Sequence, residues 1–387
     1  MPQAKHHAQV IGLMIMMFLV QLGLVACGGG ESNSTAPLVL QSAERLQAHT
    51  QTQISQAVSR VGIGIPDSQF KYDVTLYRLV YKTTNGSGVS MLASGVLALP
   101  NKPAGIASPL LSFQHGTLFQ NKEAPSNDLT PGAPPVVLAS LGYITVAADY
   151  LGYGISHGTP HPYLLAKPSA TAVVDLLKAS QEWLSQQHIP LNQQLFLTGY
   201  SEGGYVTMAA HQSLERTPLT GLKVIASIPA AGPYHLTATL DYYVSSTRIQ
   251  NAASRLSTQQ EMVNARLPNA IADPLTDFIM SLLIPADSDI NFEDTVIREY
   301  LRNGADAIAE NNLHDWQTNA SVRLFHGRHD VTVPFFNATD AATAMQARGS
   351  IDTDLVECTA SPADHETCIP EYGAFLSNTL QNMAQGL

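Results

Sequence analysis

The chain has 387 residues, a length that permits two domains or one large α/β domain with an insertion. Hydrophobic residues make up 45% of the chain and charged residues only 13%, which argues against a disordered protein or a coiled coil. Twenty basic and 31 acidic residues give a net charge of −11 without a basic stripe, so nucleic-acid binding is disfavoured. Three cysteines are too few for a disulfide-dense scaffold.

The N-terminal segment has the pattern of an export signal. Lys5 precedes an apolar run from Val10 to Val25, which is short for a membrane span of about 20 residues. The end of this run, Leu24-Val25-Ala26-Cys27, resembles the bacterial lipobox, in which the cysteine becomes the lipidated first residue after cleavage. An ordinary cleaved signal and a membrane anchor are the alternatives. The resemblance implies an exported bacterial lipoprotein held by lipid at Cys27, and Gly28 after the cysteine implies the outer membrane or cell surface.

The first predicted elements are a helix and a hairpin. Residues 40–65 have the pattern of an amphipathic lead-in helix. Alternating β-formers from Tyr72 to Thr83 and from Val89 to Leu99 predict two strands. The segment Asn85-Gly86-Ser87-Gly88 between them has turn chemistry, so the two strands should form an antiparallel hairpin.

Strands and helices then alternate along the chain. The strands are short, continuous apolar runs bounded by helical patterns, which predicts a parallel sheet covered on both faces. The predicted strands are Leu110–Phe113, Tyr143–Ala148, Leu195–Leu197 and Val224–Ile228, and the predicted helices are Pro135–Leu141, Pro168–Gln187 and Gly203–Arg216.

A segment with a helical pattern throughout, residues 234–314, interrupts this alternation. Its strongest helical patterns are Asp273–Leu283 and Phe292–Asn303. The alternation resumes with a strand at Val322–Phe325, a helix near Ala338–Arg348, a strand at Leu355-Val356 and a last helix at Tyr372–Ala384. The expected organisation is therefore a signal peptide (1–26), a flexible tether (27–39), a core (40–233), a helical cap or lid (234–314) and the rest of the core (315–387).

The pentapeptide Gly199-Tyr200-Ser201-Glu202-Gly203 matches the G-x-S-x-G pattern. The pattern alone is weak, because it arises by chance in many chains. Here, however, it follows the predicted strand at Leu195 and opens the helix at Gly203. A serine on such a strand-to-helix turn exposes its hydroxyl, and the helix N-terminus favours negative charge beside it. Ser201 is therefore the candidate nucleophile, with an ordinary turn serine as the alternative.

Further stretches resemble the α/β-hydrolase superfamily in the order that it requires. Gln114-His115-Gly116-Thr117 resembles its oxyanion motif, and Asp149–Ser156 resembles its D-x-x-G-x-G-x-S loop. The segment from His326 to Pro334 resembles the H-G-x-x-D-x-x-V-P segment that carries the acid, and His365 lies after the last predicted strand. The chain looks most like bacterial relatives of fungal secretory lipases. The resemblance implies an α/β-hydrolase fold, with a mostly parallel sheet, helices on both faces and a helical cap or lid insertion.

A serine hydroxyl needs a base within hydrogen-bond reach, and that base needs an orienting carboxylate. We assign Ser201 as the nucleophile, His365 as the base and then acid, and Asp330 as the orienting group, with Asp340 or Glu357 as alternative acids. The tetrahedral oxyanion needs two N–H donors. The backbone N–H of Glu202 should supply one, and by analogy with the superfamily the second comes from Thr117, or otherwise Gly116.

Two further groups of residues have the chemistry of a site. In an oxidising compartment Cys358 and Cys368 can form a disulfide that encloses His365 and holds its loop, or that only stabilises an exposed loop; unpaired thiols are the alternative. The segment His326-Gly327-Arg328-His329-Asp330 contains metal-ligand types, but it falls on a strand-to-loop passage without a third ligand. No metal site and no organic cofactor is therefore predicted.

The predicted cap is rich in apolar residues that would suit an acyl chain or aromatic acid, or would only pack the cap onto the core. They are Tyr242, Tyr243, Phe278, Ile279, Met280, Leu282, Leu283 and Ile284, and Pro162, Tyr163 and Leu164 approach the same pocket by analogy. The sequence thus predicts an exported serine hydrolase of the esterase or lipase type, acting on a small-molecule or lipid ester. An acyltransferase, a serine peptidase and a catalytically silent surface binding protein are the alternatives.

Overall fold

The computed structural model describes residues 38–245 and 267–387. The predicted signal peptide, Cys27, nearly all of the predicted tether and residues 246–266 of the predicted insertion lie outside the described residues. Among the helices described, none combines the length and the apolar character that crossing a bilayer requires.

A nine-stranded sheet organises the fold. The strands are β1 (Leu40–His49), β2 (Val74–Thr84), β3 (Ser90–Pro100), β4 (Ser108–Gln114), β5 (Ile144–Ala148), β6 (Leu191–Tyr200), β7 (Lys223–Ala230), β8 (Ser321–His326) and β9 (Thr353–Glu357). Their spatial order is β1-β2-β3-β5-β4-β6-β7-β8-β9. The first three strands and the β3–β5 pair are antiparallel, and the remaining neighbours are parallel. The predicted hairpin is β2–β3, and each predicted strand of the parallel part is present.

Helices cover both faces of the sheet, because successive strand residues point to opposite sides. In β6, Leu195 and Leu197 belong to one buried apolar cluster and Phe196 to the other. The helices that cover the sheet are α1 (Gln51–Val61), α2 (Pro134–Ser140), α3 (Ala166–Gln186), α4 (Glu202–Arg216), α8 (Phe336–Ala347) and α9 (Ile369–Met383). The first cluster packs under α3, α4 and α8, and the second under α1, α2 and α9.

The predicted lead-in helix over residues 40–65 is wrong in its first part. Leu40–His49 is an edge strand that pairs antiparallel with β2, and most of its side chains are exposed, so their periodicity gave no strand signal. The helix begins only after Thr50, whose hydroxyl accepts from the Gln53 N–H while the Gln53 side chain accepts from the Thr50 N–H. This capping box fixes the start of the helix.

The described part of the segment between β7 and β8 is mostly helical, but it also contains non-helical stretches. It contains α5 (Leu236–Val244), α6 (Asn269–Leu283) and α7 (Thr295–Asn303), which share a separate apolar cluster. Residues 284–294 are not helical, contrary to the prediction: Pro285 follows the end of α6, and Phe292 forms a parallel bridge with His161. Tertiary pairing with the core therefore overrides the helical pattern there.

Candidate active site

Ser201 occupies a sharp turn between β6 and α4. Its backbone has φ +59° and ψ −125°, a conformation that non-glycine residues rarely adopt. Its N–H donates to the Ala230 carbonyl at 2.9 Å, which holds the turn against β7. A Cβ on Gly199 or Gly203 would overlap backbone atoms, so both flanking glycines of the pentapeptide are required by close packing.

The structure brings Ser201, His365 and Asp330 together from three different elements. His365 Nε2 lies 2.8 Å from Ser201 Oγ, and His365 Nδ1 lies 2.6 Å from Asp330 Oδ2. The other carboxylate oxygen of Asp330 accepts from the backbone N–H groups of Thr332 and Val333 at 2.9 and 2.8 Å. The three side chains thus form one continuous hydrogen-bonded chain.

The surroundings of Asp330 keep its carboxyl group ionised. Burial alone raises the pKa of this carboxyl, but hydrogen bonds from His326 and His365 more than offset it and lower the pKa to about 2. His326 Nε2 lies 3.2 Å from Asp330 Oδ2 and 2.8 Å from the Val333 carbonyl, so it supports the carboxylate from behind. An anion at this position favours a hydrogen on His365 Nδ1, which leaves Nε2 as the acceptor facing Ser201.

The two alternative acids lie elsewhere. Asp340 pairs with His235, where Oδ2 and Nδ1 are 2.6 Å apart. Glu357 accepts from Arg328 Nε at 2.9 Å. Neither carboxylate is hydrogen-bonded to His365.

The loop that carries His365 is tied down at several points. Cys358 and Cys368 form a disulfide, so the predicted bridge is present and encloses His365. The Tyr200 hydroxyl, next to the nucleophile turn, donates to the His365 carbonyl at 2.7 Å. A side chain on Gly327 would collide with Ala363 and would lie 2.8 Å from Cys368 Sγ, so the acid loop packs directly on this loop.

The predicted oxyanion residues lie beside Ser201. A Cβ on Gly116 would lie 3.2 Å from the Tyr200 carbonyl and 3.7 Å from Ser201 Cβ, so the chain after β4 passes close to the nucleophile. Glu202 is the first residue of α4, where backbone N–H groups have no partner within the helix. Among the described residues, no protein group accepts a hydrogen bond from the backbone N–H of Glu202 or Thr117.

One residue of this region was missed in the sequence. His161 lies in the loop between β5 and α3, and its Nε2 is 2.8 Å from Oε1 of Glu202. Both side chains are buried, at 1% exposure each. The Glu202 side chain therefore faces a polar group of the protein. The two residues are 41 positions apart in the sequence, so no local spacing could have revealed the contact.

Ser201 and His365 open onto a cavity of about 770 Å³. Its lining is mostly apolar and comes from the core and from α5, α6 and α7. Seven of the eight apolar residues named for the predicted cap line it; Phe278 instead packs in the apolar cluster of the insertion. Tyr163 and Leu164 also line the cavity, whereas Pro162 does not.

The metal-ligand types near His326 serve the acid and not a metal ion. His326 uses one ring nitrogen on Asp330 and the Val333 carbonyl. Across residues 38–245 and 267–387, no group of three or more His, Cys, Asp or Glu side chains has an arrangement that could hold a metal ion.

Solved structures similar to this one include esterases, a lipase and a protein described as a hydrolase. The rice cell wall degrading esterase LipA from Xanthomonas oryzae is 26% identical over 89% of this chain and 98% of its own, with a TM-score of 0.67. A protein described as a hydrolase from Legionella pneumophila is 24% identical over 89% of this chain and 98% of its own, with a TM-score of 0.68. Lipase A from Candida antarctica in its closed state is 15% identical over 84% of this chain and 78% of its own, with a TM-score of 0.52.

No protein-family model matches the chain, and no curated protein does. The solved structures and the sheet topology together confirm the predicted mostly parallel α/β sheet with helices on both faces, and the LipA likeness supports ester hydrolysis at a general level.

Proposed function

We propose that this chain, which has the α/β-hydrolase fold of its structural neighbours, is a serine hydrolase that cleaves carboxylic esters through an acyl-enzyme. One observation carries the proposal: the hydrogen-bonded chain from Asp330 through His365 to Ser201 lies at a large apolar cavity. A base at hydrogen-bond distance activates a serine hydroxyl, and a buried carboxylate orients that base.

In the acylation step, Ser201 Oγ attacks the ester carbonyl carbon while its proton passes to His365 Nε2. The carbonyl oxygen becomes an oxyanion, which accepts hydrogen bonds from the backbone N–H of Glu202 and of Thr117, or otherwise Gly116. The C–O bond to the alcohol then breaks. His365 Nε2 returns its proton to the leaving oxygen, and Asp330 stabilises the imidazolium in between.

Deacylation repeats the sequence with water. His365 Nε2 takes a proton from the water molecule as its oxygen attacks the acyl carbon, and the same N–H donors hold the second oxyanion. Collapse breaks the bond to Ser201 Oγ, which recovers its proton from His365. The products are a carboxylic acid and an alcohol.

The cavity supports an apolar acyl or alcohol group as part of the substrate. Helices α5, α6 and α7 supply Leu240, Ile279 and Leu301 to its wall, none of which offers a hydrogen bond to a polar chain. We propose that α5, α6 and α7, the helices described in the insertion, form a cap over the site, with an acyl chain entering beneath them. Burial of each methylene there contributes about 0.8 kcal/mol to binding.

The alternatives differ in what reaches the acyl-enzyme or in whether it forms. In an acyltransferase an alcohol replaces water, and in a peptidase the leaving group is an amine. A silent binding protein needs no base in contact with its serine, yet His365 Nε2 lies 2.8 Å from Ser201 Oγ. The hydrolytic proposal also agrees with the esterase LipA, to which the chain is 26% identical.

The chain is proposed to act as a lipoprotein outside the cytoplasm, anchored through Cys27 at the outer membrane or cell surface. The lipobox resemblance supports this proposal, and the disulfide agrees with an oxidising compartment. Metabolic labelling with a radioactive fatty acid tests it in a bacterial host. The full chain should incorporate label and the Cys27→Ser variant should not; equal labelling of both would contradict the proposed anchor.

Hydrolysis of p-nitrophenyl esters of increasing acyl length tests the enzymatic proposal. Purified full-length protein in detergent should release p-nitrophenol, and the Ser201→Ala variant should be slower by several orders of magnitude. Added alcohols provide the test for transfer, because an acyltransferase would form new ester at the expense of free acid. Equal, negligible rates for parent and variant would remove simple ester hydrolysis.

A further inference from the structure

A buried histidine–glutamate pair lies directly behind the nucleophile turn. His161 Nε2 and Glu202 Oε1 are 2.8 Å apart, and each side chain is 1% exposed. The backbone N–H of the same Glu202 is a proposed donor to the oxyanion. Nothing in the acyl-enzyme steps uses either side chain, although burying two ionisable groups is unfavourable unless they are paired.

The hydrogen bonds of His161 fix the number of protons that the pair holds. Its Nδ1 lies 2.9 Å from the Leu151 carbonyl, which can only accept, so Nδ1 carries a hydrogen. A second proton must lie between Nε2 and the Glu202 carboxylate, because both atoms would otherwise present lone pairs to each other. Whichever atom holds that proton, the pair has no net charge. A developing oxyanion thus has no uncompensated carboxylate beside it.

The aromatic rings around His161 belong to residues that hydrogen-bond the chain on either side of Gly116 and Thr117. The His161 ring contacts those of Tyr150 and Tyr153, with centroids 6.1 and 5.0 Å away. The Tyr150 hydroxyl donates to the His115 carbonyl at 3.2 Å, and the Tyr153 hydroxyl donates to the Leu118 carbonyl at 2.7 Å. These two carbonyls flank Gly116 and Thr117, the candidates for the second donor.

The backbone of His161 joins this cluster to the insertion. Its N–H donates to the Asn291 carbonyl at 2.7 Å, and its carbonyl accepts from the Glu293 N–H at 2.8 Å. The Phe292 ring between them meets the His161 ring edge to face, with centroids 5.4 Å apart. The loop after β5 and residues 291–293 of the insertion therefore hold the pair in place and shield it from water.

We propose that His161 and Glu202 are positioning residues for the oxyanion site. Through its side chain, Glu202 fixes the direction of its own N–H, and His161 locks that side chain while its aromatic neighbours fix the chain around Thr117. This inference rests on the proposed ester hydrolysis. It assigns the pair an effect on the transition state and not on substrate binding.

The test compares four full-length proteins in the p-nitrophenyl ester assay. His161→Phe keeps an aromatic ring but removes both hydrogen bonds. Glu202→Gln keeps both, because its amide can donate to Nε2 while Nδ1 still donates to Leu151. His211→Phe is the matched control. His211 is a fully buried histidine of α4 that is not part of the site, and its Nε2 lies 3.6 Å from Glu215 Oε1. Circular dichroism at the assay temperature checks that each is folded.

We expect kcat of His161→Phe to fall about 10- to 100-fold with KM within threefold, since a misplaced oxyanion donor acts on the transition state. Glu202→Gln should lose less kcat than His161→Phe, because it keeps both hydrogen bonds of His161. His211→Phe, which lies outside the site, should keep kcat within about threefold of the parent. A trifluoromethyl ketone gives an independent readout, because Ser201 adds to it and its oxygen becomes an oxyanion. Its inhibition constant should rise in His161→Phe by about the factor lost in kcat/KM.

Folded His161→Phe with kcat within threefold of the parent would overturn the inference. So would an equal loss in His211→Phe, which would mark a general effect of removing a buried histidine. A loss in Glu202→Gln as large as that in His161→Phe would contradict the neutral pair. A parent protein without esterase activity and without affinity for the ketone would instead refute the proposed function itself.

Discussion

Replacing Asp330 by asparagine tests the proposed orientation of the base with almost no change in shape. One carboxylate oxygen accepts from two backbone N–H groups, those of Thr332 and Val333, so the amide oxygen of asparagine must occupy that side. Its NH₂ group then faces His365 Nδ1, which becomes an acceptor. The hydrogen moves to Nε2, and His365 now donates to Ser201 instead of accepting from it.

The expected loss in kcat is on the order of 10⁴-fold, the size found when a buried triad aspartate is changed to asparagine in another serine enzyme. At about 1.36 kcal/mol for each factor of ten, this corresponds to roughly 5.4 kcal/mol of transition-state stabilisation. The assay is hydrolysis of a p-nitrophenyl ester at pH 7.5, with kcat and KM measured separately. KM should change little, because Asp330 lies behind His365 and away from the ester.

Two matched controls come from the acids that the sequence left as alternatives. Asp340→Asn and Glu357→Gln remove carboxylates that pair with His235 and Arg328, so both should keep the kcat of the parent. Folded Asp330→Asn within tenfold of the parent would refute the assigned role. A large loss in either control would move the role of the acid to that residue.

Three further outcomes are expected. Burial raises the pKa of Asp330 but hydrogen bonds from its histidine neighbours lower it to about 2, so the stability contributed by the ionised group is complete above about pH 4 and declines toward pH 2. In urea titrations, the free energy of unfolding of Asp330→Asn should depend less on pH over that interval than that of the parent. Parallel pH dependences for the two proteins would contradict the assignment. The double variant Cys358→Ser with Cys368→Ser should have a free energy of unfolding about 2.5 kcal/mol lower than the parent. Its kcat should also fall several-fold, since the bridge closes the loop that carries the base. An unchanged kcat would mean that the bridge only stabilises the fold. Met280→Trp, which fills the cavity wall, should shift the acyl-length optimum toward shorter esters, and an unchanged optimum would place the acyl chain outside this cavity.

The motifs along the chain were sufficient to predict the fold and to choose Ser201, Asp330 and His365 as candidates. Each lies at the carboxyl end of a strand or in the loop beyond it, and local patterns locate strands well when apolar runs are continuous. The edge strand Leu40–His49 was missed because its stability comes from pairing with β2 and not from an apolar face of its own. Pairing between distant segments leaves no periodic trace in either one.

The same limit explains what the sequence could not reveal about the site. His161 contacts Glu202 only because the loop after β5 folds over the start of α4, and the wall of the cavity depends on how the insertion packs. The apolar residues near Ile279 could be recognised as buried, but not divided into those that line the cavity and those, such as Phe278, that pack between helices. Tertiary packing decides that division.

Covalent labelling of the nucleophile tests the central proposal most directly. A p-nitrophenyl alkylphosphonate should react with the full-length protein, with loss of p-nitrophenolate and formation of a bond from Ser201 Oγ to phosphorus. Peptide mass spectrometry should find the added mass on the peptide that contains Ser201, and none in Ser201→Ala. The adduct should form much more slowly in Asp330→Asn. Ester hydrolysis by a protein that is labelled at another residue, or not labelled at all, would contradict Ser201 as the nucleophile.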